Sequence, residues 1–217
     1  MREAMSPNHD EVYVPAWLVY GLVSLLVLGG TAVLTAGMIP TVLDFSNETV
    51  WYAIRASGLV AYLLLTASTV WGIMLTSKVV KEWVPAAVAL DLHNYLSWTA
   101  IGITVLHTVL LLFSDFFNYS VLNLLVPFTG PYEPLWVGLG IIGLYLMVLT
   151  SATFYIIKRI GMRTFRLIHY LTYVGFVLSL LHSLMAGTDE SALMGVYVGS
   201  GLLVLFLTIY RMLAVRK

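Results

Sequence analysis

The sequence predicts an all-α fold: a polytopic membrane protein built as a six-transmembrane-helix bundle with both termini cytoplasmic. Three observations predict it. The chain of 217 residues is 60% hydrophobic and only 10% charged. Its apolar residues come in runs of about twenty, the length that crosses a bilayer, rather than in the alternation of a half-buried strand. Its lysines and arginines gather in alternate loops. Residues 1–15 read as an N-terminal tail, 16–213 as the six-helix domain and 214–217 as a basic C-terminal tail.

The first span is expected from Trp17 to about Met38, closed by Pro40, with Gly21, Gly29, Gly30 and Gly37 as small residues for close helix approach. No cleavage pattern follows it, so it is expected to be retained as a helix. A short acidic loop with Asp44 and Glu48 leads to the second span, Trp51 to about Leu75, which carries Arg55 near its start. Lys78, Lys81 and Glu82 form the next loop, and Trp83 with Pro85 opens the third span, Ala86 to Phe113.

The connection 114–134 is broken by three prolines, and its run Val121 to Phe128 is too short to span. It is expected to lie in the interface or to fold over the bundle. The fourth span runs from Leu135 to Ile157 and ends in the basic loop of Lys158, Arg159, Arg163 and Arg166. The fifth covers Leu167 to Met185, Asp189 and Glu190 follow, and the sixth covers Ala192 to Leu213 before Arg216 and Lys217. Nine of the eleven basic residues fall in the loops after spans two and four or at the end of span six, and Arg2 is on the same side. The opposite loops carry acids only, which places both termini in the cytoplasm.

No cysteine is present, which removes disulfides, iron–sulfur clusters and thiolate-held haem or zinc. Histidine is left as the soft ligand, and four of the five histidines lie inside spans. An ionisable side chain there is a functional candidate by default. His93 and His107, fourteen residues apart in the third span, are about 40° from a common azimuth and about 21 Å apart along the axis. His169 and His182, thirteen apart in the fifth span, are separated by about 19.5 Å.

Both spans are odd-numbered and cross in the same direction, so His93 matches His169 in depth and His107 matches His182. Each pair can supply two axial nitrogens to a flat metal macrocycle. A zinc site would gather three or four ligands at one depth, whereas these lie in two levels. Two b-type haems fit best, with all four histidines as iron ligands. Thirteen residues of ideal helix put His182 about 140° from His169, which predicts a π-bulge or a bend close to Gly175.

Arg55, one turn inside its span, either snorkels to the interface or meets an anionic group, and it sits at the depth of the outer haem's propionates. Arg163 and Arg166 are the inner candidates. Trp98 and Phe176 fall between the two levels, as core packing or as aromatics lining the gap between haems.

These residues resemble the ferric reductase-like transmembrane domain shared by yeast ferric reductases, NADPH oxidases and many small bacterial membrane proteins. The likeness covers roughly residues 50–213. It rests on WYAIRASGLVAYLLL, the H-x13-H of the third span, VPFTGPYEPLWVGLG, and RLIHY with LHSLMAGTD. It implies an inner haem on His93 and His169, an outer haem on His107 and His182, and electron flow from cytoplasm to exterior. It also places Arg55 where the family carries an arginine close to the outer haem.

Oxidases and yeast reductases continue into a flavin and nicotinamide domain, whereas this sequence ends at Lys217 and has no nucleotide-binding glycine loop. In this it is similar to the bacterial haem subunit that feeds periplasmic methionine sulfoxide reductase. The expected partners are membrane lipid, a separate flavoprotein or quinol as donor, and an extracytoplasmic acceptor such as a ferric chelate, oxygen or a periplasmic oxidoreductase. No nucleic-acid partner is expected. The expected location is the bacterial cytoplasmic membrane, multi-pass. Rival readings are a transporter or channel using histidines for protons or metal ions, and a haem-free scaffold subunit.

Overall fold

The computed structural model describes Gly21, Leu22, Ser24, Leu25 and residues 47–76, 84–188 and 190–214. The expected N-terminal tail, most of the first span, Asp44, Lys78, Lys81, Glu82, Asp189, Arg216 and Lys217 lie outside the described residues. Those described form helices and turns, with no strand among them. Four stretches are long and apolar enough to cross a membrane: Glu48–Thr76, Ala86–Phe113, Pro134–Ala186 and Ser191–Leu213. The protein is a multi-pass, all-helical membrane protein.

Helix α1 (Asn47–Thr76) lies against α2 (Ala86–Leu110), which tightens into a 3₁₀ turn at Leu111–Phe113. The two run antiparallel: Gly58 of α1 faces His107 of α2, and Gly72 faces His93. Trp71 clamps them by donating its indole N–H to the Ala89 carbonyl at 2.8 Å. Ser24, of the first span, meets the Tyr95 hydroxyl of α2 at 2.8 Å.

The segment after α2 folds over the end of the bundle, one of the two outcomes expected for it. A five-residue helix, α3 (Val121–Leu125), starts at a reciprocal cap between Ser120 and Asn123. Leu124, Phe117 and Tyr119 are buried with Val50 and Ile54 of α1. Asn118, Phe128 and Glu133 have positive φ, a conformation that costs a non-glycine residue and needs firm surroundings to persist. Tyr145 donates to the Leu125 carbonyl and Tyr119 to that of Tyr132 at 2.8 Å. Burial raises the pKa of the Tyr119 hydroxyl, which keeps its proton available for that bond.

The 53-residue stretch Pro134–Ala186 is a hairpin. Helix α4 (Pro134–Thr153) continues through a 3₁₀ turn, Phe154–Ile156, into α5 (Ile157–His169) and then α6 (Leu171–Ala186). The basic segment expected as a loop is helical on either side of a break at Gly161. The chain reverses at Gly161, whose φ of 78° and ψ of 155° are open to glycine almost alone. The reversal lays α6 antiparallel on α4: the Cβ that Gly140 lacks would lie 2.9 Å from His182, and that of Gly143 2.9 Å from Ser179 Oγ. Gly175 of α6 would place its own Cβ 3.5 Å from that of Leu146. Small residues thus bring α4 and α6 close, as in other membrane helix pairs.

Helix α7 (Glu190–Ala214) joins the others through Tyr62, whose buried hydroxyl meets Ser200 Oγ at 2.5 Å. The core gathers Val60, Leu64, Leu96, Ala100, Met147 and Phe176 with their neighbours. It forms an apolar layer that separates the two histidine levels.

Candidate functional site

The site is built on the face of α2 that repeats every seven residues from His93 through Ala100 to His107. His93 meets His169, with ring centres 6.1 Å apart and planes 78° apart. His107 meets His182 at 6.4 Å and 71°. The pairing expected from helix direction is the pairing found, and it makes α2 and α6 parallel. Two imidazoles joined by a direct hydrogen bond of about 2.9 Å would have centres about 5.1 Å apart. Two imidazoles on opposite sides of one metal atom, with bonds of about 2.0–2.1 Å, would have centres about 6.3 Å apart. The observed spacings exceed the first and are close to the second, and both also lie within the ordinary range of edge-to-face ring pairs.

Three of the four rings are tethered at Nδ1. His93 donates to the Ser68 carbonyl at 3.1 Å, His107 to that of Ile54 at 2.8 Å and His182 to that of Trp136 at 3.1 Å. A carbonyl only accepts, so each bond keeps the proton on Nδ1 and leaves the Nε2 lone pair for a ligand. A metal-binding histidine usually shows this outer support. Nδ1 of His169 is buried without a partner, and its ring stacks on Phe165 at 5.2 Å.

The rings also need room from their neighbours. A Cβ on Gly58 would stand 2.9 Å from Cε1 of His107, and one on Gly72 the same distance from Cε1 of His93. These glycines are fourteen residues apart, as are the histidines they face. That echo was a signal in the sequence, although neither glycine nor Gly140 was singled out from it. Around His107 and His182 the helices leave a cavity of about 180 Å³, open on one side and lined also by Arg55, Gly58, Tyr62 and Gly140. At each level the donor set is two neutral imidazoles, which suits an iron macrocycle that takes two nitrogen ligands.

The irregularity expected in the fifth span is one turn residue, Tyr170, between α5 and α6. It falls beside His169 and not at Gly175, which is taken up with packing on α4. Thr172 Oγ1 bonds the His169 carbonyl at 2.7 Å, and the Tyr173 N–H steps back to the Tyr170 carbonyl at 3.2 Å. This local tightening accompanies the turning of both rings towards α2.

Arg55 lines the space at His107 and His182 and rests on Trp51, 4.0 Å from the ring centre. Phe176 is buried between the two levels and stacks on Tyr62 at 6.2 Å. Trp98 does not join it: it is 38% exposed and packs on Tyr155 at 6.1 Å. Five residues beyond His93 place it about 140° off the histidine face. Arg163 and Arg166 are exposed on α5. Arg211 of α7, counted in the sequence with the basic end of span six, instead lies against Tyr170 and Tyr173, the residues just after His169. Among the described residues no three histidine, cysteine or acidic side chains converge on a metal position, and each level offers two imidazoles.

Comparison with known families gives a match to the ferric reductase like transmembrane component over residues 57–180. The matched region includes His93, His107 and His169 and ends two residues before His182. Comparisons with curated proteins and with solved structures returned no match. The match spans more than half of the 217 residues, and the chain belongs to the ferric reductase-like transmembrane component family.

Proposed function

We propose that the protein is a b-type cytochrome of six spans with cytoplasmic termini. In this reading one haem is held by His93 and His169 and a second by His107 and His182. Electrons enter from a cytoplasmic flavoprotein or a membrane quinol and leave to an extracytoplasmic ferric chelate, oxygen or periplasmic oxidoreductase. The observation that carries it is the pair of facing imidazoles at 6.1 and 6.4 Å, three of the four rings held by Nδ1 bonds to backbone carbonyls.

When bound, the haems would supply a one-electron iron couple. The residues of the chain do the rest. The carbonyl tethers keep Nε2 basic and the ring planes fixed. The apolar layer of Leu64, Leu96, Ala100 and Phe176 excludes water between the levels. Arg55, stacked on Trp51, offers positive charge to a carboxylate at the edge of the His107 level.

A reduced-minus-oxidised spectrum with a pyridine haemochrome count tests this, and about two b-type haems per chain are expected. His107→Ala is expected to leave about half of that with the helical fold retained. Protein made with ample haem supply and found to contain none would overturn the reading and favour a transporter.

A further inference from the structure

Arg211 lies in the last turn of α7, where its Nη1 donates to the Tyr173 hydroxyl at 3.0 Å. Its guanidinium also stands 6.0 Å from the centre of the Tyr170 ring. Tyr170 is the turn residue that follows His169, and Tyr173 lies in the first turn of α6, so the guanidinium stands over the stretch next to that imidazole. Among the described residues no carboxylate forms an ion pair with it. A half-buried guanidinium at the end of an apolar helix is costly unless it meets an anion, and the tyrosine takes up one of its five donors. At the other level Arg55 stands in a like position, resting on an aromatic ring beside His107 and His182.

We propose that Arg211, oriented by Tyr173, is an anion-holding residue of the His93/His169 level and binds a carboxylate of the group held there. This assigns to Arg211 the task that the sequence suggested for Arg163 and Arg166, and it rests on the di-haem reading. The same chemistry could come from the phosphate of an anionic lipid, and the experiment separates the two.

The test is a spectroelectrochemical titration of the purified holoprotein, resolving its two haem components, with bound lipid measured by native mass spectrometry. A cation beside a centre that gains an electron favours the reduced state. Arg211→Gln is therefore expected to move one component to lower potential and leave the other in place, while Arg211→Lys restores most of the shift. Tyr173→Phe, which keeps the charge and removes its anchor, is expected to give a smaller shift of the same component. In a His107→Ala background, where the His93/His169 level alone remains, Arg211→Gln is expected to lower haem retention several-fold.

Loss of bound anionic lipid with both potentials unmoved would assign the site to lipid and overturn the proposal. Equal movement of both components would reduce Arg211 to a general structural role and also overturn it. Absence of haem from the unmutated protein would remove the underlying reading itself.

Discussion

The two histidine pairs share their ring spacing and differ in what surrounds them. At the His107/His182 level both rings are tethered to carbonyls, glycines of α1 and α4 make room for both, and the segment after α2 packs over the end of the bundle. At the His93/His169 level one ring is tethered, the other has a buried Nδ1 with no partner, and the chain breaks its helix one residue later. Matched ring spacing therefore coexists with unequal support. The second ring of each pair comes from α6 or its approach, and only His182 sits within a regular helix against α4.

The comparison breaks most visibly at the glycines. Gly58→Ala is expected to push His107 aside and cost the haem of that level, leaving about one per chain by pyridine haemochrome, since one level remains intact. Gly72→Ala is expected to do the same to the His93 level. Loss of both haems from either variant would mean that the two levels are not independent.

A smaller effect concerns potential. A hydrogen bond from Nδ1 raises the basicity of a ligating histidine and stabilises the oxidised iron. The untethered His169 should thus give its level the higher midpoint, and the nearby Arg211 acts in the same direction. Redox titration of His107→Ala, which retains that level, against His93→Ala, which retains the other, measures the difference directly. The reverse order would show that burial outweighs ligand support.

The smallest expected effect is at Gly161. Alanine at its φ of 78° and ψ of 155° would cost about 1–3 kcal/mol of backbone strain. No side chain would be struck, because nothing lies within 4 Å of the position. A lowered thermal midpoint is expected, with haem lost first from the His93/His169 level, since α5 carries His169.

Much of this was legible in the sequence because it depends on one-dimensional spacing. Length and apolar runs set the spans within a few residues: Ala86 to Phe113 was expected and is found as α2 with its 3₁₀ turn. Fourteen- and thirteen-residue separations in two parallel spans set the histidine pairing. The need for an irregularity in the fifth span followed from counting residues, but its position did not. Gly175 was the weak point by propensity, yet close packing against α4 uses that glycine and the break falls at Tyr170. Trp98 was misplaced by reading depth without azimuth.

By itself the sequence determined the helical class, the four long apolar stretches among the described residues and the two histidine levels, since hydropathy and rise per residue act along the chain. Tertiary structure decided which carbonyl and which glycine meet His93, His107 and His182, and which arginine lies near each level. Those depend on contacts between residues 21 to 53 positions apart, such as Gly72 and Ser68 with His93 and Ile54 with His107. No local pattern encodes such contacts, because they exist only once the helices have packed.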